Sequence, residues 1–227
     1  MTGSISTLAM ILSLAVLPFS LQGSQPVAPV PAPEVSEASG LESEVTGAER
    51  DALLDEVAAA LAEVKTAKGR FTQQDSAFNT ISGDFYLRRP GRVRFVYDAP
   101  SPLLIISDGT SVAIEDKDLE TQDRLPLRAT PLGLILDDEI DFAEQVNILG
   151  VRKTENIVGI LMEDKTGETE GSLLLVLDAA DYGLLEWQAI DSEGGVTSVQ
   201  LAGVETGISL NPRLFRIEEL GEEDERD

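Results

Sequence analysis

The feature that most constrains this chain is a train of short strand-like runs at 69–75, 81–88, 92–98, 103–107, 111–115, 145–151, 156–163, 171–177, 184–191, 196–203 and 213–217. Turn residues punctuate them: Arg89-Pro90-Gly91, Asp108-Gly109, Lys165-Thr166-Gly167, Asp181-Tyr182-Gly183 and Glu193-Gly194-Gly195. Short strands at regular spacing with such turns specify an antiparallel sandwich or barrel. One helix precedes them. Thr46-Gly47-Ala48-Glu49 has the spacing of a capping box. Leu53, Leu54, Val57, Ala58, Leu61 and Val64 then recur at three and four, an apolar stripe over about 49–66. Lys65 and Lys68 suit the negative end of that helix, and Gly69 suits a left-handed stop. Thr130-Pro131 is a cap followed by proline at the first helical position, leading into Leu132-Gly133-Leu134-Ile135-Leu136. The simplest assembly is one large sheet with one or two helices packed on one side.

The apolar stretch from Leu8 to Leu17 is too short for a membrane span of about 20 residues. It fits the h-region of a secretory signal over 1–23, ended by Pro18. No Lys or Arg precedes it and no Ala-x-Ala site follows, so an uncleaved anchor is the alternative. Residues 24–48 carry Pro26, Pro29, Pro31 and Pro33 among Ala, Ser, Val and Glu, the composition of a disordered, extended linker. Residues 219–227 read as a solvated acidic tail. One domain, 49–218, remains.

With 17 basic and 41 acidic side chains the net charge is −24. Such a surface repels phosphate backbones over a Debye length of about 8 Å, which argues against nucleic acid as a partner. It also keeps a protein soluble and monomeric, although an acidic habitat would leave the same composition. There is no Cys and no His. Disulfides, thiolate chemistry, Cys-based metal sites and N-terminal cysteine lipidation of this chain are excluded, and the commonest general base and neutral metal ligand are missing. No nucleophile elbow, phosphate loop or metal-ligand spacing is present, so no catalytic residue, metal or cofactor is expected. An acid/base pair such as Asp108 with Glu115 is the remaining enzymatic alternative.

The first hairpin carries the most information. Phe85, Leu87, Val93, Phe95 and Tyr97 share odd parity and line one sheet face if the register survives the turn, with Arg88, Arg92 and Arg94 on the other. Arg89 has the parity of the apolar side. Either the turn resets the parity and Arg89 is exposed, or its charge must find hydrogen-bond acceptors.

Four motifs in order now point to a family: Gly69-Arg70-Phe71-Thr72-Gln73-Gln74, Gly83-Asp84-Phe85-Tyr86-Leu87-Arg88-Arg89-Pro90-Gly91-Arg92-Val93-Arg94-Phe95-Val96-Tyr97, Ser107-Asp108-Gly109 and Thr130-Pro131-Leu132. The chain resembles the LolA family of periplasmic outer-membrane lipoprotein carriers, clearly over about 50–136 and more faintly to about 217. The resemblance implies a mainly β fold, an unclosed antiparallel β-barrel of about eleven strands with helices forming a lid over a hydrophobic cavity. It implies a periplasmic protein that binds the acyl chains of lipoproteins released by an inner-membrane ABC transporter. Delivery would be to an outer-membrane receptor or to the outer membrane itself. In that family the arginine of the Arg-Pro motif bonds lid-helix carbonyls and holds the lid shut without cargo; the matching residue is Arg89. Phe71, Phe85, Leu87, Val93, Phe95, Leu134 and Ile135 are the candidate cavity lining, with ordinary core packing as the alternative for each. Arg88, Arg92 and Arg94 form a basic island suited to docking an acidic partner, or else an ordinary salt-bridged face. A receptor of the LolB type would need a lipidated cysteine, which is absent. The rival of a different class is a lipid- or lipoprotein-sensing regulatory module on the same half-barrel.

Overall fold

The computed structural model describes residues 43–137, 140–165 and 170–218. The sequence-predicted signal segment, most of the linker and the acidic tail lie outside these residues. The strands are β1 (Ser43–Glu44), β2 (Thr66–Gln74), β3 (Thr80–Arg88), β4 (Arg92–Tyr97), β5 (Leu103–Asp108), β6 (Ser111–Asp116), β7 (Thr121–Pro126), β8 (Val146–Lys153), β9 (Ile157–Asp164), β10 (Ser172–Asp178), β11 (Leu184–Ile190) and β12 (Val196–Thr206). They form one sheet in the order β1-β8-β9-β10-β11-β12-β2-β3-β4-β5-β6-β7. Every pairing is antiparallel, and β1 and β7 are left as edges, so the barrel is unclosed. The helices are α1 (Gly47–Glu63), α2 (Pro131–Leu136) and α3 (Phe142–Gln145), with 3-10 helices at Leu127–Ala129 and Pro212–Phe215.

Several local expectations are corrected. Thr46 is the N-cap of α1 but makes no side-chain capping bond. The helix ends at Glu63, and Gly69 lies inside β2 instead of stopping it. Glycine is required there by close approach: a Cβ would sit 2.8 Å from Phe85 Cε1 and 2.9 Å from the Ala202 carbonyl oxygen. The chain is already paired at Ser43–Glu44, inside the span read as linker, through β8 residues Lys153 and Arg152. The polar strand β7, Thr-Gln-Asp-Arg-Leu-Pro, was not anticipated because it is an edge with little to bury.

The run at 213–217 is not a strand. Pro212–Phe215 is a 3-10 helix capped by Asn211, whose side chain accepts the Arg213 N–H at 3.0 Å. It packs across the outer face of β4 and β5, where Arg94 Nη1 donates to the Leu214 carbonyl at 3.1 Å. Farther along, Gln122 Nε2 donates to the Glu218 carbonyl at 2.8 Å. By register Leu104, Ile106 and Ala113 face outward beneath this strap, and all three are buried, as is Phe215. The strap therefore closes a second, small core. Phe215→Ala is expected to lower stability by about 3 kcal/mol, read as a lower urea midpoint with an unchanged m-value.

The main core lies on the concave side. Two tripeptides organise it: in Gly69-Arg70-Phe71 and Gly83-Asp84-Phe85, Gly69 pairs with Phe85, Arg70 with Asp84 and Phe71 with Gly83. Inside, each phenylalanine ring lies over its partner's glycine. Outside, Arg70 holds Asp84 at 3.1 Å and also pairs with Asp98.

Candidate functional site

The register answers the parity question. Phe85 pairs with Phe95, Leu87 with Val93 and Arg88 with Arg92, so the odd-numbered residues keep one face through the turn. Arg89, in the turn, is 9% exposed and therefore needs acceptors. Its Nε donates to the Val64 carbonyl at 3.1 Å and its Nη1 to the Asp137 carbonyl at 2.6 Å. Val64 and Asp137 are the C-caps of α1 and α2. One guanidinium thus satisfies orphan carbonyls at the ends of both helices, where a cation also suits the helix dipoles.

The neighbouring motifs hold that turn in place. Gly91 N–H donates to the Leu136 carbonyl at 2.8 Å, and the buried Ser107 Oγ donates to the Gly91 carbonyl at 2.6 Å. A Cβ on Gly91, whose φ is +69°, would lie 2.7 Å from Gly109 Cα. Arg-Pro-Gly and Ser-Asp-Gly are therefore one packed unit. Thr130 Oγ1 donates to the Leu127 carbonyl at 2.7 Å instead of capping α2.

The segment from 127 to 145, which contains α2 and α3, connects edge strand β7 to β8 near the other edge. Together with α1 it covers the concave face. Phe71, Phe85, Val93, Phe95 and Ile135 are buried there in one core cluster with Leu53, Leu54, Val57 and Leu61 of α1, and Leu87 packs against it half-buried. The side chain of Leu134 lies outside the described residues. Aromatic rings fill the middle: Phe71 meets Phe95 and Tyr97 edge-to-face at 5.1 and 5.0 Å, and Trp187 lies 6.1 Å from Phe95.

Sequence reasoning missed two polar features. Tyr97 donates from its hydroxyl to Gln73 Oε1 at 2.8 Å inside the core, and burial pushes its phenol pKa up. The signal was Gln73 itself, two residues from Phe71 and so on the same face. Tyr182, in the turn before β11, donates to Glu56 Oε2 on α1 at 2.8 Å, and that bond raises its pKa. No spacing rule links residues that far apart. Beside α1 a cleft of about 630 Å³ has Leu54, Ala58, Ile140, Phe142, Val146 and Ile148 in its walls, with Arg50, Asp55 and Lys165.

Arg88 and Arg92 form a cross-strand pair, with Arg92 opposite Asp108. Arg94 is engaged with the C-terminal strap through Leu214.

The family model described as outer membrane lipoprotein carrier protein LolA matches residues 62–218, more than half of the 227. The chain belongs to the LolA family. The outer-membrane lipoprotein carrier protein of Methylococcus capsulatus is 32% identical over 138 residues, 59% of this chain. The chain spans 65% of that relative, just under two thirds of its length. The protein of that name from Pseudomonas aeruginosa is 27% identical over 176 residues, covering 74% of this chain and 84% of its own. A crystal structure of a LolA superfamily protein from Nitrosomonas europaea is similar with a TM-score of 0.45 at 8% identity, covering 72% of this chain and 97% of that one. The LolA match starts at residue 62, so it takes in β2 to the C-terminal strap and only the last residues of α1. Among the described residues no helix is long and apolar enough to cross a membrane.

Proposed function

We propose that this protein is a periplasmic, non-catalytic carrier that takes up the acyl chains of lipoproteins released by an inner-membrane ABC transporter and delivers them to the outer membrane or a receptor there. The observation that carries this reading is Arg89, a buried cation bonded to the ends of α1 and α2, two of the helices that roof an apolar concave face. Cargo binding separates the helices from the sheet, and acyl chains replace α1 side chains against Phe71, Phe85, Leu87, Val93, Phe95, Leu134 and Ile135. Burying a chain gains about 0.8 kcal/mol per methylene. Breaking the Arg89 bonds offsets part of that gain and keeps release possible. Arg88 and Arg92 are the docking cations for an acidic partner surface, so association slows as salt screens them.

The test adds purified protein to spheroplasts making an acylated lipoprotein. Cargo should move to the soluble fraction in a one-to-one complex, and a cargo variant without its acylated cysteine should not require the carrier. Cargo that stays with the membrane would overturn the reading.

A further inference from the structure

The Tyr97–Gln73 bond has no part in covering the concave face, yet it is buried in an otherwise apolar interior. Gln73 is 6% exposed, Tyr97 8%, and Thr197, a third buried polar residue, 3%. Register places these groups along the strands. Reading away from Arg89, β2 to β4 present inward layers of Ala67, Leu87 and Val93, then Gly69, Phe85 and Phe95, then Phe71, Gly83 and Tyr97, then Gln73 and Ile81. The polar pair thus lies at the end of the strands opposite the Arg89 turn.

We infer that the Tyr97–Gln73 pair is the floor of the acyl site and sets the longest chain the protein holds in full. The inference rests on the carrier reading above and adds to it a limit on chain length. Successive inward layers are about 7 Å apart, so the apolar stretch from the Leu87–Val93 layer to the polar pair is about 15–20 Å deep. With carbon–carbon bonds of about 1.5 Å, an extended acyl chain advances about 1.3 Å per carbon. The stretch therefore fits about twelve to sixteen carbons. A longer chain must either break a buried hydrogen bond, leaving donor and acceptor unsatisfied, or leave its excess methylenes in water.

Trp187, the single tryptophan of the chain, reports on this end. It pairs with Val199, and Val199 pairs with Gln73, so its backbone is level with the floor, while its ring reaches to 6.1 Å from Phe95 and lines the lower part of the stretch. The experiment uses saturated monoacylglycerols of twelve to twenty carbons, whose uncharged heads avoid the protein's charge. A second set carries bromine near the head, mid-chain or near the methyl end. The protein and its Q73L/Y97F variant are titrated with both. Gln73 engages more than Tyr97 alone, so the double replacement is expected to cost some stability, and bromine quenching in the unaltered protein is informative whether or not the variant folds.

In the unaltered protein, affinity should rise about fourfold per methylene and level off near sixteen carbons, with the methyl-end bromine quenching Trp187 most. In the variant the rise should continue to longer chains. Affinity that climbs steadily to twenty carbons in the unaltered protein, quenching independent of bromine position, or a plateau unmoved in the variant would overturn the floor and leave the carrier reading standing. Failure of every monoacylglycerol to bind would remove the carrier reading and the floor together.

Discussion

Replacing Arg89 with leucine is expected to tighten acyl-chain binding by about 100-fold and to slow release by a similar factor, while making the empty protein less stable. The closed state holds charge-assisted hydrogen bonds from this guanidinium to at least Val64 and Asp137. A buried bond to a charged group is worth about 1.5–3 kcal/mol net, so losing both shifts the closed–open equilibrium by about 3 kcal/mol. Cargo that binds only the open state gains that amount in apparent affinity, until the open state dominates. Unfolding of the empty variant should show a loss of about 2–3 kcal/mol, because the two helix-end carbonyls lose their donor. Arg89→Lys keeps the charge on a single nitrogen and should fall between the two. The readouts are acyl affinity, stopped-flow release into vesicles and urea unfolding. If the leucine variant loses stability with unchanged affinity and release, Arg89 is a structural staple and the latch is wrong.

Arg89 also shows where sequence reading stops. Its parity marked it as a charge on an apolar face, but its acceptors lie 25 and 48 residues away. No local rule could choose between burial with partners and exposure. The β3–β4 register was legible because both strands alternate strictly and their apolar sets face each other across the turn. The stripe of α1 was legible for the same reason, with period 3.6 in place of 2. The C-terminal run misled because Leu214-Phe215-Arg216-Ile217 alternates like a strand while only Phe215 among them is buried. Its binding surface is the outer side of β4 and β5, a face the alternation reserves for solvent until Leu104, Ile106 and Ala113 are seen buried on that side. Tyr97 was assigned to the right face, but its hydroxyl demanded a partner that only tertiary placement of Gln73 supplies.

Gly83→Ala should be among the most damaging single substitutions in the sheet, costing about 4 kcal/mol or more. A Cβ at Gly83 would lie 2.2 Å from the Val96 carbonyl oxygen and 2.6 Å from Phe71 Cε1. A flexible side chain could yield, but the Val96 carbonyl belongs to the backbone of β4, where Phe95 and Tyr97 on either side are core residues. Relief requires β3 and β4 to part, and Phe71 to leave the ring cluster it shares with Phe95 and Tyr97. For a domain of this size that cost corresponds to a fall in Tm of about 10 °C or more. Gly150→Ala is the control: it lies in β8, and a Cβ there meets nothing within 4 Å. It should be neutral, or stabilising by a few tenths to about 1 kcal/mol through the unfolded chain. Adding Phe71→Ala to Gly83→Ala separates the two clashes. Because the carbonyl contact survives, the double variant should be no more stable than Gly83→Ala alone. Recovery of stability would instead place the constraint in the ring and show that the β3–β4 backbone can move apart at little cost.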